Sequence, residues 1–399
     1  MNQVRLNISL LAVCQAVMMT GGSLLITSAA VVGAMLTDER ALATLPLALQ
    51  FLASMVISIP ASFAMRRWGR RAGFIAATLV GAIGGAVATW AILIDSFVLF
   101  CTGTALVGVF NGFGIYFRFA AVDAAPVNFK EKAIAYVMAG GVVAAFAGPN
   151  LANWAQDLIP AAAFAGSYAA LIGLYGIALL ALVFVDIPRH PAVVAGKPGR
   201  PLWRIARQPV FMVAMLGAML GYGIMSLVMT ATPLAMEVCG MPFSDSAFVI
   251  QWHVFAMFAP SFFTGTLIRR FGALTVMLWG VFCYIGTVFI NLNGVTVIHF
   301  WIALFLLGIG WNFLFVGGTD LLTDAYREEE KAKAQALNDF MVFTTVSIAS
   351  LSAGALQYHY GWEAVNWGVT PLIAIILTAV VGLMWRRRKV VGEAAGIAN

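Results

Sequence analysis

The sequence predicts an all-α integral membrane protein: twelve transmembrane helices in two parallel, pseudo-repeated six-helix bundles. Three observations carry that expectation. Of 399 residues, 62% are hydrophobic and only 10% charged, against about a quarter charged in a soluble domain. Apolar runs of about 20 residues, the length that crosses a bilayer, recur along the whole chain. Positive charge falls on alternate connections, as it does where Lys and Arg hold loops on the cytoplasmic side. Short strands of alternating polarity, which a barrel requires, are absent.

The first run, 8–36, is too long for a cleaved signal peptide and reads as a retained helix. The second, 42–65, stops at Arg66 and Arg67. Runs 73–94 and 96–119 are parted only by Asp95 and Ser96, and runs 133–155 and 162–185 flank the polar stretch NWAQDLIP. The proline-rich, basic segment 186–209 then reads as a cytoplasmic linker between a first half, 1–185, and a second, 210–399. The second half supplies runs 210–236, 247–268, 273–292, 297–319, 336–356 and 365–385. With the N-terminus inside, only Arg40 of the 23 Lys and Arg residues falls outside. Both termini are therefore expected in the cytoplasm.

The halves share three markers about 200 residues apart, the signature of duplication. MTGGSLLITSAAVVGAM ends at Met35 and LGYGIMSLVMTATPLAM at Met236; Arg66–Gly69 recurs as Arg269–Gly272; KEKAIA from Lys130 recurs as KAKAQA from Lys331. Six helices return the chain to its starting side, so the copies run parallel, a plan found among transporters.

Other classes find little support. The net charge of +6 in a charge-poor, Gly-rich chain suits helix orientation rather than nucleic acid. Cys14, Cys101, Cys239 and Cys283 are widely spaced and suggest neither disulfides nor a metal site. HExxH, Gly-x-Ser-x-Gly and paired intramembrane carboxylates do not occur, so no enzyme, metal or cofactor is expected. The expected partners are a small-molecule substrate and the bilayer, with the chain acting as a monomer.

The middle third of each run lacks Asp, Glu, Lys and Arg. Since intramembrane charge usually marks function, its absence favours a neutral or weakly polar solute. Amide, hydroxyl and aromatic groups remain. Tyr222, Ser226 and Thr230 share one helical face, as do Trp301, Phe305, Gly308, Asn312 and Phe315 with Trp311 beside them. The first helix offers Gln15, Met19 and Gly22; the fourth offers Thr104, Gly108 and Asn111. Each stripe equally suits helix packing. Gln50 and Gln251 precede their arginine pairs by about 24–27 Å of helix, placing both in the outer half. His253 is the proton-coupling candidate, because histidine titrates near neutrality.

The loop Ser62, Arg66, Arg67, Gly69, Arg70, Arg71 resembles the Gly-x-x-x-Asp-Arg-x-Gly-Arg-Arg/Lys element of the major facilitator superfamily. Arg66 stands where that family prefers Asp. The second copy keeps Gly265, Arg270 and Gly272, with Arg269 at the acidic position. The resemblance implies gating roles for Arg67, Gly69, Arg70, Asp123, Arg270, Gly272 and Asp320, the arginines pairing with Asp123 and with Asp320 or Asp324. It also implies a central cavity lined by the first, fourth, seventh and tenth helices, hence substrate contacts at Gln15, Asn111, Tyr222, Ser226, Trp311 and Asn312; Gln251, an amide on the eighth, joins them as a further substrate-binding candidate. FRFAAVDAAP (117–126) and VMAGGVVAAFAGPNLA (137–152) resemble a bacterial branch that includes riboflavin-uptake transporters, so riboflavin uptake through an inner membrane is the leading expectation. Gly148-Pro149 resembles a fifth-helix motif of drug/proton antiporters, which keeps proton-coupled efflux as the alternative; small residues at 140, 144 and 148 would also permit close packing.

The topology has a direct test in a background lacking the native cysteines. Cys placed at Arg40 or Glu363 should react with an impermeant thiol reagent from outside intact cells, whereas Cys at Lys197 should not. The reverse pattern would overturn the orientation.

Overall fold

The structure, a computed structural model, describes residues 2–126, 133, 136–187 and 199–397. Every regular element among them is helical. The first half holds α1 (Asn2–Leu36), α2 (Leu45–Trp68), α3 (Arg70–Leu93), α4 (Phe97–Gly114), α5 (Phe117–Ala124), α6 (Gly140–Ala155) and α7 (Ala165–Phe184). The second holds α8 (Leu202–Ala206), α9 (Pro209–Val238), α10 (Phe243–Phe258), α11 (Ser261–Phe271), α12 (Ala273–Asn293), α13 (Val297–Thr323) and α14 (Lys331–Ile397). Nine of the described helices are long and apolar enough to cross a membrane, or ten when α10 and α11 count as one bent span.

Several boundaries differ from the sequence reading, each for a local reason. The run 96–119 divides at Ile115 and Tyr116 into α4 and α5. The run 247–268 is broken by a 43° bend at Pro260, where a missing N–H and a ring clash interrupt the helical ladder. The runs 336–356 and 365–385 join in α14, interrupted at Gly361 with φ 78°, a backbone region glycine enters without steric cost. The KEKAIA marker, apart from Ala133, and linker residues 188–198 lie outside the described residues.

Buried apolar side chains gather in two main clusters. One runs from Ile8 to Val185; the other runs from Ile205 to Leu383 and takes in Ala145. Similar close approaches recur in both. A Cβ on Gly108 of α4 would meet the Gln50 carbonyl and Ala53 of α2; one on Gly308 of α13 would meet the His253 carbonyl and Ala256 of α10. The chain reverses identically after α2 and α11: Gly69 (φ 93°) donates its N–H to Met65 O at 2.9 Å, and Gly272 (φ 85°) to Ile268 O at 2.8 Å. The outer surface is apolar, with Val98, Trp154, Phe262, Phe289 and Trp367 exposed, an arrangement suited to lipid rather than water.

At the arginine-rich end, cations lie over aromatic rings: Arg67 over Trp68, Arg204 and Arg207 over Trp203, Arg270 over Phe271, and Lys389 over Trp385. Such rings favour a membrane–water boundary. Arg70 pairs with Asp123 at 2.6 Å. Arg71 donates to the last carbonyls of α7, Leu182 at 3.0 Å and Val183 at 2.5 Å, satisfying a helix end that lacks its own donors. In the second half Asp324 pairs with Arg387 of α14 at 3.1 Å, and Asp320 is exposed. Arg387 thus occupies the contact that the sequence reading offered to the second arginine cluster.

The end of the linker is fastened to the turn before α14. Glu330 is completely shielded from solvent. Its carboxylate accepts from the Arg200 backbone N–H (2.7 Å), Arg200 Nε (2.8 Å), Arg200 Nη2 (2.6 Å) and the Arg327 N–H (3.0 Å). Hydrogen bonding from Arg200 holds this carboxyl well below its ordinary range. A lowered folded-state value stabilises the fold above the unfolded value and loses that stabilisation as pH falls toward the folded one. Melting temperature should therefore drop on acidification below about pH 4.5, and the drop should be shallower in Glu330→Gln. Parallel acid curves for the two proteins would remove Glu330 from that role.

Candidate functional site

Between the two clusters lies a cavity of about 180 Å³. Its first-half wall is built by close helix approach. Gly108 and Gly112 let α4 lie against α2, where an added Cβ would meet Gln50 O at 2.3 Å and Ile57 Cγ2 at 2.2 Å. Asn111, between them, reaches the cavity, and Gly22 of α1 leaves its amide room at 3.9 Å. Ser54 donates to Gln50 O (2.9 Å) and lies 2.8 Å from Gly108 O, joining the two helices.

This wall holds three polar oxygens without a partner: Ser23 Oγ, Gln50 Oε1 and Asn111 Oδ1. Gln50 and Ser23 are only 2% and 3% exposed. Leaving such groups unpaired in an apolar interior costs about 1–3 kcal/mol each, so their convergence on one cavity marks a place for a hydrogen-bonding guest. The facing wall is soft and aromatic, with Tyr222, Val254, Met257, Phe258 and Phe343. Behind it, Trp311 stacks on Phe315 (5.0 Å, 9°) and meets Tyr222 (5.2 Å) and Phe258 (6.0 Å) edge-on. At this volume the cavity falls below the roughly 300–1,000 Å³ of a typical ligand pocket.

The other sequence-selected residues lie elsewhere. Asn312 is fully buried and committed within the protein: it donates to Met257 O (2.7 Å) and Ser261 Oγ (2.6 Å) and accepts from Thr264 Oγ1 (2.7 Å). It fastens α13 to both sides of the Pro260 bend. Ser226 pairs with Ser350 of α14 at 2.8 Å. Gln251 accepts from Asn150 of α6 at 2.5 Å, outside the cavity. Gln15 is buried with Oε1 unpaired, away from the cavity lining. His253 is fully buried, its Nδ1 2.7 Å from Leu304 O; that contact makes Nδ1 the donor and leaves Nε2 without a partner. Among the described residues no group of three or more His, Cys, Asp or Glu could hold a metal.

Sequence reasoning passed over Ser23 and Phe258 and put Gln50 with Gln251 in the outer half. A cue was available in the paired glycines around Asn111, since a helix that presents glycine to a neighbour brings that neighbour's polar groups close. Gly148 is also informative: its Cβ would meet Ser23 Cβ at 2.6 Å and Thr20 O at 2.8 Å, so the Gly148-Pro149 pair packs α6 tightly on α1.

Comparison with known proteins agrees with this architecture. A family model described as Major Facilitator Superfamily matches residues 11–292 and 252–398. The riboflavin transporter RfnT of Brucella anthropi is 42% identical over 379 residues, covering 94% of this chain and 95% of that protein. An uncharacterised MFS-type transporter of Bacillus subtilis, YdeG, is 26% identical over 91% of this chain and 87% of its own. The crystal structure of the nucleoside transporter NupG superposes with a TM-score of 0.72 at 13% identity, covering 95% of this chain and 99% of that one.

The Asn312 contacts give a stability prediction. Asn312→Leu removes a shared partner of Thr264, Ser261 and Met257 O, and should cost about 1–3 kcal/mol of stability, read as a lower melting temperature of the purified protein. An unchanged melting temperature would show that the bend holds without the amide.

Proposed function

The chain belongs to the Major Facilitator Superfamily, and from that premise we propose that it imports riboflavin by alternating access. Membrane transport follows from the family and from the RfnT likeness. The observation that carries the substrate is the central cavity, with unpaired oxygens of Ser23, Gln50 and Asn111 facing Tyr222 and Phe258. Riboflavin's isoalloxazine is a flat aromatic with an amide-like edge. Its ring N–H can donate to the amide oxygens while its face lies against the aromatic wall. No charge is required of the guest, which matches the neutral lining.

The architecture we propose is twelve spans in two six-helix halves, residues 1–185 and 210–399. Counting the arms of α14 on either side of Gly361 separately, α10 with α11 as one span, and the 16-residue α6 as part of another brings the nine long helices to twelve. The paired reversals at Gly69 and Gly272 support duplication. Both termini and the arginine clusters lie in the cytoplasm of a bacterial inner-membrane protein, as the positive charge requires.

Contacts between the halves indicate the state. Away from the arginine end, Thr44 lies within hydrogen-bond reach of Leu351 O and the Gly354 N–H (both 3.2 Å), Asn150 meets Gln251, and Arg40 lies 4.0 Å from Glu237. These close the outer side. At the arginine end Arg118 and Asp339, one from each half, carry opposite charges, and bringing them together is the reciprocal step of transport. Arg70 with Asp123 and Arg71 on α7 keep the first bundle rigid while it rocks, with Arg67, Arg270 and Asp320 at the same moving boundary. The tight packing of Gly148 accounts for the glycine–proline pair without invoking export.

Counterflow of radiolabelled riboflavin into proteoliposomes tests the assignment. Gln50→Leu and Asn111→Leu should each weaken binding roughly 2- to 10-fold, the worth of one neutral hydrogen bond. Parent protein that accumulates no more label than protein-free liposomes would sink the substrate assignment.

A further inference from the structure

A second cavity, of about 520 Å³, lies at the end of the molecule opposite the arginine clusters. It is walled by both halves: Ala34, Arg40 and Ala43 from the first, and the end of α9, α14 around Gly354 and Gln357, and Trp362 from the second. Gly361, where α14 breaks, borders it. Its volume falls within the ordinary range for ligand pockets, which the central cavity in this conformation does not reach.

Two groups in its lining are built like a site. Gln357 and Trp362 are each only 8% exposed, yet Gln357 Oε1 and Trp362 Nε1 have no hydrogen-bond partner. One is an acceptor and the other a donor, and each is costly to bury unpaired. The remaining lining is mostly apolar, from Leu234, Val238, Tyr358 and the Trp362 ring. The charges of Arg40 and Glu237 stand 4.0 Å apart, half-exposed, and offset one another. A guest that satisfies this set is neutral, with a donor for Gln357, an acceptor for Trp362 and an apolar body.

We propose that this cavity is a second binding site for a flat heteroaromatic solute with an amide edge, and that occupying it holds the outer side closed. The solute class rests on the transport reading above, since a flavin has that edge. The closing effect is linkage. The cavity exists because Arg40 lies near Glu237 and Thr44 meets Gly354, so separating the halves on this side dismantles it. A guest that binds only the closed arrangement must stabilise it. At high external flavin, transport should therefore slow.

Cys239 supplies a native probe, because it lines this cavity and is exposed while Cys14 and Cys101 are buried. In a Cys283→Ser background, riboflavin should slow alkylation of Cys239 by an impermeant maleimide. By simple competition the rate falls about tenfold at a flavin concentration about ten times Kd. Gln357→Leu and the milder Trp362→Phe should lose that protection while quenching of flavin fluorescence by the central cavity persists. Gln50→Leu should weaken the central quenching and keep the protection. Protection that survives Gln357→Leu and Trp362→Phe but fails in Gln50→Leu would show shielding transmitted from the central cavity and overturn the second site. Quenching without protection in the parent would overturn the second site and leave the transport reading standing. Absence of both would overturn the two together.

Discussion

Helices surrounded by lipid gain little from hiding apolar surface against one another, because the lipid tails are as apolar as the side chains they would replace. Association then depends on how closely the backbones approach. In this protein the approach is set by glycine. An added Cβ on Gly33 would fall 2.1 Å from Ala43 O, and one on Gly103 would fall 2.7 Å from the Ala88 N–H. The contacts at Gly108, Gly112, Gly148 and Gly308 obey the same rule. The bundles, the cavity between them and the polar groups in its wall are all positioned by these close passes.

Close packing raises the cost of any polar group it encloses, and so separates two kinds of buried amide. Asn312 spends its hydrogen-bonding capacity on three neighbours and serves as a fastener. Gln50 and Asn111 line a cavity and each keep an oxygen without a partner. The same contrast holds between Ser226, paired with Ser350, and Ser23, unpaired. The two serines are alike in type and burial; the partner decides the role.

The arginine clusters serve several purposes at once. Gly69 and Gly272 turn the chain sharply at the boundary, so the flanking arginines are brought beside the ends of neighbouring helices. Arg70 neutralises Asp123, Arg71 satisfies the last carbonyls of α7, and Arg67 and Arg270 lie over aromatic rings at the surface. The second half departs from the first: Arg387, arriving from the final helix, takes Asp324. Two boundaries with the same glycine turn thus carry different partners.

The sequence by itself determined the membrane class, the order of the apolar runs and the recurrence of the Arg-Arg-aromatic-Gly element. Hydropathy and short motifs are local properties, and local properties survive in a string of residues. It also brought Asn111 and Tyr222 forward as candidates, since helical spacing shows which residues share a face. Which polar residues remained free was decided only by tertiary structure. Gln50 and Gln251 stand at matching distances from their arginine pairs, yet Gln50 lines the central cavity and Gln251 joins Asn150 outside it. Whether an amide is spent or available depends on the helix opposite, and that neighbour is fixed by three-dimensional packing rather than by position along the chain.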